Sequence, residues 1–375
     1  MIKRELETEI KKRINRGKAI IVLGARQVGK TTLLHDIYDN DNDVLWMNAD
    51  EIHVRSVFEN LTAASFKPFL SQNRTVIIDE AQRIENIGLK LKILQDAYGK
   101  EVQFIATGSS SFDLANRINE PMTGRKRELM MYPLKLSELV EHHGLLEEQG
   151  CFDTRLIYGF YPEVVEAPAD AREILSGFVN DNLYKDIYKW EEIRKPVQFE
   201  NLTKALAYQI GSQVSLNELG SHVGLDKNTV EKYIRLLEQS YIIFRIGSFS
   251  RNLRNELKAS NKYYFYDIGI RNALIGNFSI PAERQDIGHI FENFAIAEMV
   301  KKKGPVREMV PGYFWRTTAG QEIDFVDEYD GKIFAYEIKF SDKRKPYFSK
   351  TFTEKYKPEK TIVLNSKNIF EVLLN

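Results

Sequence analysis

The eight residues Gly24-Ala-Arg-Gln-Val-Gly-Lys-Thr31 spell G-x-x-x-x-G-K-[ST], a phosphate-binding loop, and this motif functions only when a strand enters it and a helix leaves it. Both flanks are present. The apolar run Ala19–Leu23 reads as a buried strand, and Thr31-Thr-Leu-Leu34 opens a helical pattern. Glycines at 24 and 29 let bare backbone N–H groups curl around an anion, with the helix N-terminus adding partial positive charge. The expected cradle is Gly24, Ala25, Arg26, Gln27, Val28, Gly29, Lys30, Thr31 and Thr32. Lys30 would reach the β- and γ-phosphates of ATP or GTP, and Thr31 would present its hydroxyl to Mg²⁺.

Downstream, Val44–Asn48, Thr75–Asp79 and Val102–Thr107 are short β-rich segments separated by helical stretches such as Leu89–Tyr98. That alternation predicts a parallel sheet with crossover helices. The strand at 75 ends in Asp79-Glu80. Asp79 would hold Mg²⁺ directly or through water, and Glu80 would polarise the attacking water as a general base. Thr107, at the end of the next strand in Thr107-Gly-Ser109, is the candidate γ-phosphate sensor, with a capping or loop hydroxyl as the alternative. In Thr123-Gly-Arg-Lys-Arg127, Arg125 is the candidate arginine finger, against a plain solvated basic loop.

At 375 residues the chain should hold about two or three domains. Lys plus Arg equals Asp plus Glu at 53 each, so no global basic excess announces a nucleic-acid partner. The single cysteine, Cys151, rules out an internal disulfide framework, and the histidines lack zinc-ligand spacing. No apolar run approaches the roughly 18 residues of a membrane span, so a cytoplasmic, soluble chain is expected.

The strings Gly24-Ala-Arg-Gln-Val-Gly-Lys-Thr-Thr-Leu33, Ile77-Ile-Asp-Glu-Ala-Gln82 and Thr107-Gly-Ser-Ser110 resemble a family of prokaryotic AAA+ ATPases of uncharacterised role. Further matches are Gly159-Phe-Tyr-Pro-Glu163, Phe249-Ser-Arg-Asn-Leu-Arg254, Tyr264-Phe-Tyr-Asp-Ile-Gly269 and Phe291-Glu-Asn-Phe294. The resemblance implies an α/β chain in four parts. These are a P-loop AAA+ ATPase domain (1–136), a helical lid and linker (137–195), a winged helix (196–270) and a restriction-endonuclease-like, PD-(D/E)XK domain (271–375).

Local pattern supports the later parts. Residues 137–210 are mostly helical, including a stretch through Ile174–Ile193, and Pro196 marks a break. Leu216–Val223 and Asp226–Gln239 read as two helices joined at Gly224, with Asp226 as N-cap, and Ile242–Ile246 with Lys262–Tyr266 as the strands of a wing. Val230, Tyr233, Ile234 and Leu237 should face inward, leaving Lys227, Asn228, Lys232 and Arg235 to contact DNA. Between 215 and 260, seven cations (Lys227, Lys232, Arg235, Arg245, Arg251, Arg254, Lys258) meet five anions (Glu218, Asp226, Glu231, Glu238, Glu256), a weak footprint that leaves interdomain packing equally open.

The last third holds Glu292, Asp324 and Glu337-Ile-Lys339. If Asp330-Gly331 is a two-residue hairpin turn, facing residues have numbers summing to 661, which sets Asp324 opposite Glu337 with Lys339 on the same face. Facing carboxylates destabilise a sheet unless a positive charge lies between them. A second divalent ion, Mg²⁺ or Mn²⁺, held by Glu292, Asp324 and Glu337 and assisted by Lys339 would meet that need and match the nuclease core, although Ile323 replaces its usual proline. Two functions follow as expectations: an ATP-driven machine acting on DNA, or a nucleotide-controlled switch with a non-catalytic C-terminal scaffold. A finger supplied in trans would require a homo-oligomer.

Overall fold

The computed structural model describes residues 1–108, 122–184, 193–250, 261–304, 312–342 and 347–375. Ser109, the end of the helical stretch beyond 184, and Arg251, Arg254, Glu256 and Lys258 therefore lie outside the described residues. The chain divides into two compact units: Met1–Leu134 with Gln239–Tyr241, and Lys135–Glu238 with Ile242–Asn375. Segments 137–195 and 271–375, and nearly all of 196–270, lie together in the second unit.

The first unit is built on five parallel strands: β1 (Ala19–Leu23), β2 (Val44–Asn48), β3 (Thr75–Asp79), β4 (Gln103–Gly108) and β5 (Lys126–Met130), in the order β2-β3-β4-β1-β5. β1, β3 and β4 are buried along their whole length, as apolar runs covered on both faces must be. Each Ile or Val so buried contributes about 1.5–3 kcal/mol relative to an exposed one. Sheet order matters more than strand content here. β4 lies between the strand that feeds the phosphate loop and the strand that ends in the acidic pair.

The second unit carries seven strands: β6 (Gln213–Val214), β7 (Ile243–Ser248), β8 (Asn261–Phe265), β9 (Tyr313–Arg316), β10 (Glu322–Tyr329), β11 (Lys332–Ile338) and β12 (Lys360–Leu364), in the order β12-β11-β10-β9-β7-β8-β6. β7 and β8 pair antiparallel as the sequence suggests, yet β7 also runs parallel to β9, with Gly247 beside Tyr313. The two strands expected to form a separate wing thus belong to the same sheet as the C-terminal strands. The helices Leu216–Val223 and Lys227–Gln239 are separated by Gly224 in a left-handed conformation, and Asp226 accepts from the N–H groups of Asn228 and Thr229 at 3.0 Å each. Val230, Tyr233, Ile234, Leu236 and Leu237 are buried on the second of these helices, whereas Lys227, Asn228, Lys232 and Arg235 are exposed.

On β10 and β11 the hairpin register is the expected one, with Phe325 facing Tyr336 and Val326 facing Ala335. Asp330 and Gly331 both have positive φ, 49° and 75°, which lets a two-residue turn follow the strand twist. A register shift against β9 falls between Ile323 and Val326, and such a bulge re-aims the side chains around Asp324. Phe352, from the helix Lys350–Tyr356, packs on this sheet with Trp315, Ile323 and Val326. The helix Ile287–Lys302 is buried around most of its circumference, so it is a central element rather than a surface one.

Two of the strings that carried the family resemblance meet at a structural knot. The Asp267 carboxylate accepts from Phe160 N–H at 2.6 Å and from Ile270 N–H at 3.2 Å, capping the helix Ile268–Ile275. Gly159 (φ 75°) leaves so little room that an added Cβ would sit 2.2 Å from Asp267 Oδ1. Gly159→Ala is therefore expected to destabilise the second unit by about 2–4 kcal/mol through backbone strain and overpacking, measured as a loss of the urea midpoint with unchanged slope.

Candidate functional site

The loop 24–31 leaves β1 at its carboxyl end. Gly24 is required because an added Cβ would lie 2.1 Å from the Met131 carbonyl oxygen, where the chain leaving β5 is stitched to Leu23 by a 2.7 Å backbone bond. Gly29 sits at φ 94° as the N-cap of the helix Lys30–Tyr38 and brings no side chain to cover its first-turn N–H groups. Ala25 and Val28 anchor the loop in the core, while Arg26, Gln27, Thr31 and Thr32 are exposed.

Lys30 is only 6% exposed, and its ammonium donates to the Gly24 and Ala25 carbonyls at 3.0 and 2.8 Å. Burial pulls its pKa down to about 8, against the opposing pull of Glu80 and Asp79, with Arg26 lowering it further. A buried ammonium held by carbonyls can donate charge-assisted hydrogen bonds to phosphate oxygens once they arrive.

Asp79 is the hub. Its Oδ2 accepts from the Thr31 hydroxyl at 2.8 Å, and its Oδ1 accepts from the Thr107 hydroxyl. Thr107 in turn accepts from Glu80 N–H at 3.1 Å. With its donor spent on Asp79, the buried Thr107 locks the tip of β3 to β4. Glu80 has a left-handed backbone, φ 51° and ψ 39°, an uncommon conformation for a residue with a side chain and one that clusters at functional sites. Hard oxygens of Thr31 and Asp79 at this separation suit Mg²⁺.

Arg125 requires a correction. It precedes β5, and its carbonyl accepts from Ala19 N–H, at the amino end of β1, whereas the phosphate loop leaves the carboxyl end. Its guanidinium is 40% exposed and pairs with Asp96 at 2.5 Å. Parallel pairing puts the whole length of β1 between it and the loop, so it cannot serve as a finger for its own site. Because exposed pairs contribute little, Arg125→Ala should leave ATP turnover within about twofold of wild type in a steady-state assay.

One residue at this site carries no sequence signal. Arg4, 8% exposed, donates to the Val28 carbonyl at 2.8 Å and to the Tyr132 carbonyl at 2.7 Å, bracing the back of the loop against the chain beyond β5. In the sequence it is one more charge in an N-terminal run.

In the second unit, Asp324, Glu337 and Lys339 do come together, and Glu292 faces them from the helix Ile287–Lys302. Lys339 Nζ lies 2.6 Å from Asp324 and 3.1 Å from Glu337, and Ile338 N–H donates to Asp324 at 2.7 Å. Glu292 accepts from the Tyr264 hydroxyl at 2.7 Å, and Lys262 Nζ lies 3.4 Å from Glu292 and 2.7 Å from Glu322. Burial, reinforced by Asp324, raises Glu337 to about 7, and burial also pushes Glu292 up. Burial opposes the charge on Lys262, but Glu292 and Glu322 more than offset it, and the net shift is upward.

The second divalent site expected from the sequence is not supported. Among the described residues no three His, Cys, Asp or Glu side chains form a group that could hold a metal ion. The positive charge that facing carboxylates need comes from lysines instead.

Residues 16–140 match the model of an AAA domain, AAA_14. The solved Walker-type ATPase PABY2304 of Pyrococcus abyssi superposes with a TM-score of 0.51 at 17% identity, over 73% of this chain and 96% of that one. The first unit has the fold of a P-loop ATPase. Beyond this ATPase domain, residues 150–280 and 287–372 match two domains of unknown function, DUF8612 and DUF4143. The uncharacterized protein Rv2008c of Mycobacterium tuberculosis is 23% identical over 344 residues, 90% of this chain and 74% of that protein. The uncharacterized protein MJ1637 of Methanocaldococcus jannaschii is 26% identical over 348 residues, 80% of this chain and 72% of that protein. No described helix is long and apolar enough to cross a membrane.

Proposed function

We propose that the chain binds Mg²⁺-ATP at the loop 24–31 and hydrolyses it, and that the second unit turns this cycle into contact with DNA. The observation that carries the reading is the hydrogen-bonded hub at Asp79, which joins Thr31 of the phosphate loop to Thr107 and the Glu80 backbone. Lys30 and the helix N-terminus would bind the phosphates, and Thr31 with Asp79 would hold Mg²⁺. When bound, the ion supplies charge neutralisation on the β- and γ-phosphate oxygens. Glu80 would take a proton from the attacking water; its backbone N–H is held by Thr107, and its carboxylate accepts from the Gln82 side-chain amide.

Contact with DNA is supported by the exposed Lys227, Asn228, Lys232 and Arg235 on a helix that follows a tight turn, an arrangement similar to a winged helix. The order helix 287–302, β9, β10, β11, helix 350–356, β12 supports a likeness to the restriction-endonuclease core. Pairing of the acids with Lys262 and Lys339 favours a second reading, in which this domain is a non-catalytic scaffold and the chain is a nucleotide-controlled switch. ATP turnover measured with and without duplex, single-stranded and branched DNA separates the two. Stimulation by any of them supports DNA coupling, and indifference to all supports the switch.

A further inference from the structure

Four carboxylates gather between the helix Ile287–Lys302 and the strands β10 and β11: Glu292, Glu322, Asp324 and Glu337. Lys339 bridges Asp324 and Glu337 from the end of β11. The remaining two acids are served from a different strand, β8, by Lys262. That side chain is 3% exposed, and its ammonium also lies 5.4 Å from the centre of the Phe314 ring. Lysine is almost never buried this deeply unless opposite charge awaits it. Tyr264, two residues along and on the same face of β8, completes the set by donating to Glu292. The space between the helix-borne acid and the sheet, where a divalent ion would have to sit, is thus crossed by an ammonium group. An ion that drew Glu292 away would leave that buried ammonium with Glu322 as its remaining ion-pair partner.

We propose that Lys262 is the built-in counter-ion of this cluster, holding Glu292 and Glu322 in the place of a divalent cation and keeping the cluster closed to Mg²⁺ and Mn²⁺. The cluster then acts as an ion-paired clamp between helix and sheet.

The test uses the full chain without nucleotide and follows free Mn²⁺ by electron paramagnetic resonance. Wild type and Asp324→Asn should take up equal amounts. Lys262→Gln should gain a single ion per chain, lost again in the double variant Lys262→Gln/Glu292→Gln. Uptake by wild type that Asp324→Asn abolishes, or a folded Lys262→Gln that binds no more than wild type, would overturn the proposal. Melting in EDTA supplies a readout free of metal. Lys262→Gln should lower the melting temperature by several degrees and the added Glu292→Gln should restore part of the loss, whereas no loss would contradict a counter-ion role. Should Lys262→Gln fail to fold, wild type alone decides. Equal melting in millimolar Mn²⁺ and in EDTA supports the closed cluster, and an increase in Mn²⁺ that Asp324→Asn removes defeats it.

Discussion

Glu80→Gln is expected to slow ATP turnover about 100- to 10,000-fold while nucleotide affinity stays close to wild type. The side chain is isosteric and keeps the left-handed backbone at φ 51° and the bond from its N–H to Thr107, so the geometry of the β3 tip should survive. What it loses is the ability to accept a proton. Its charge also opposes the effect of burial on Lys30. Steady-state hydrolysis together with equilibrium binding of a fluorescent nucleotide checks both halves. Loss of binding equal to loss of turnover would make Glu80 a ligand rather than a base.

Lys30→Ala should act differently, removing binding and turnover together. A close, largely desolvated pair between an ammonium and phosphate oxygens is worth about 2–5 kcal/mol, which corresponds to roughly 30- to 4,000-fold in affinity. The fold should tolerate the change. Among the described residues the buried Lys30 has only carbonyl oxygens as hydrogen-bond partners, so its removal also relieves the cost of a desolvated charge. A melting temperature near that of wild type, with binding gone, is the expected pair of results. Unchanged affinity would mean that the ammonium does not reach the nucleotide.

Local signals in the sequence carried the strand–loop–helix around residues 24–31, the acidic pair at 79–80 and the hairpin at Asp330-Gly331, because each is written within a few residues of itself. The sum rule for the hairpin holds on β10 and β11 since a two-residue turn leaves no freedom of register. Arg125 was illegible for the opposite reason. A cationic run looks the same at either end of a sheet, and only the parallel pairing of β5 with β1 places it at the end away from the loop.

Non-local pairing also hid the continuity of the second sheet, which joins Gly247 to Tyr313, and the role of Lys262, which as a sequence feature is merely the polar start of a strand. Facing acids in a sheet need a positive charge between them. For Asp324 and Glu337 it comes from Lys339 at the end of β11, while Lys262 of β8, 62 positions upstream of Asp324, serves Glu292 and Glu322. Arg4 is a similar case, a lone cation whose two carbonyl partners sit 24 and 128 residues away.

Calorimetric titration of the folded chain with ATP tests the central claim most directly. In Mg²⁺ the account predicts binding of one nucleotide per chain, weakened in EDTA and abolished by Lys30→Ala. Absence of heat from ATP or GTP with Mg²⁺ present, or equal binding by wild type and Lys30→Ala, would contradict it.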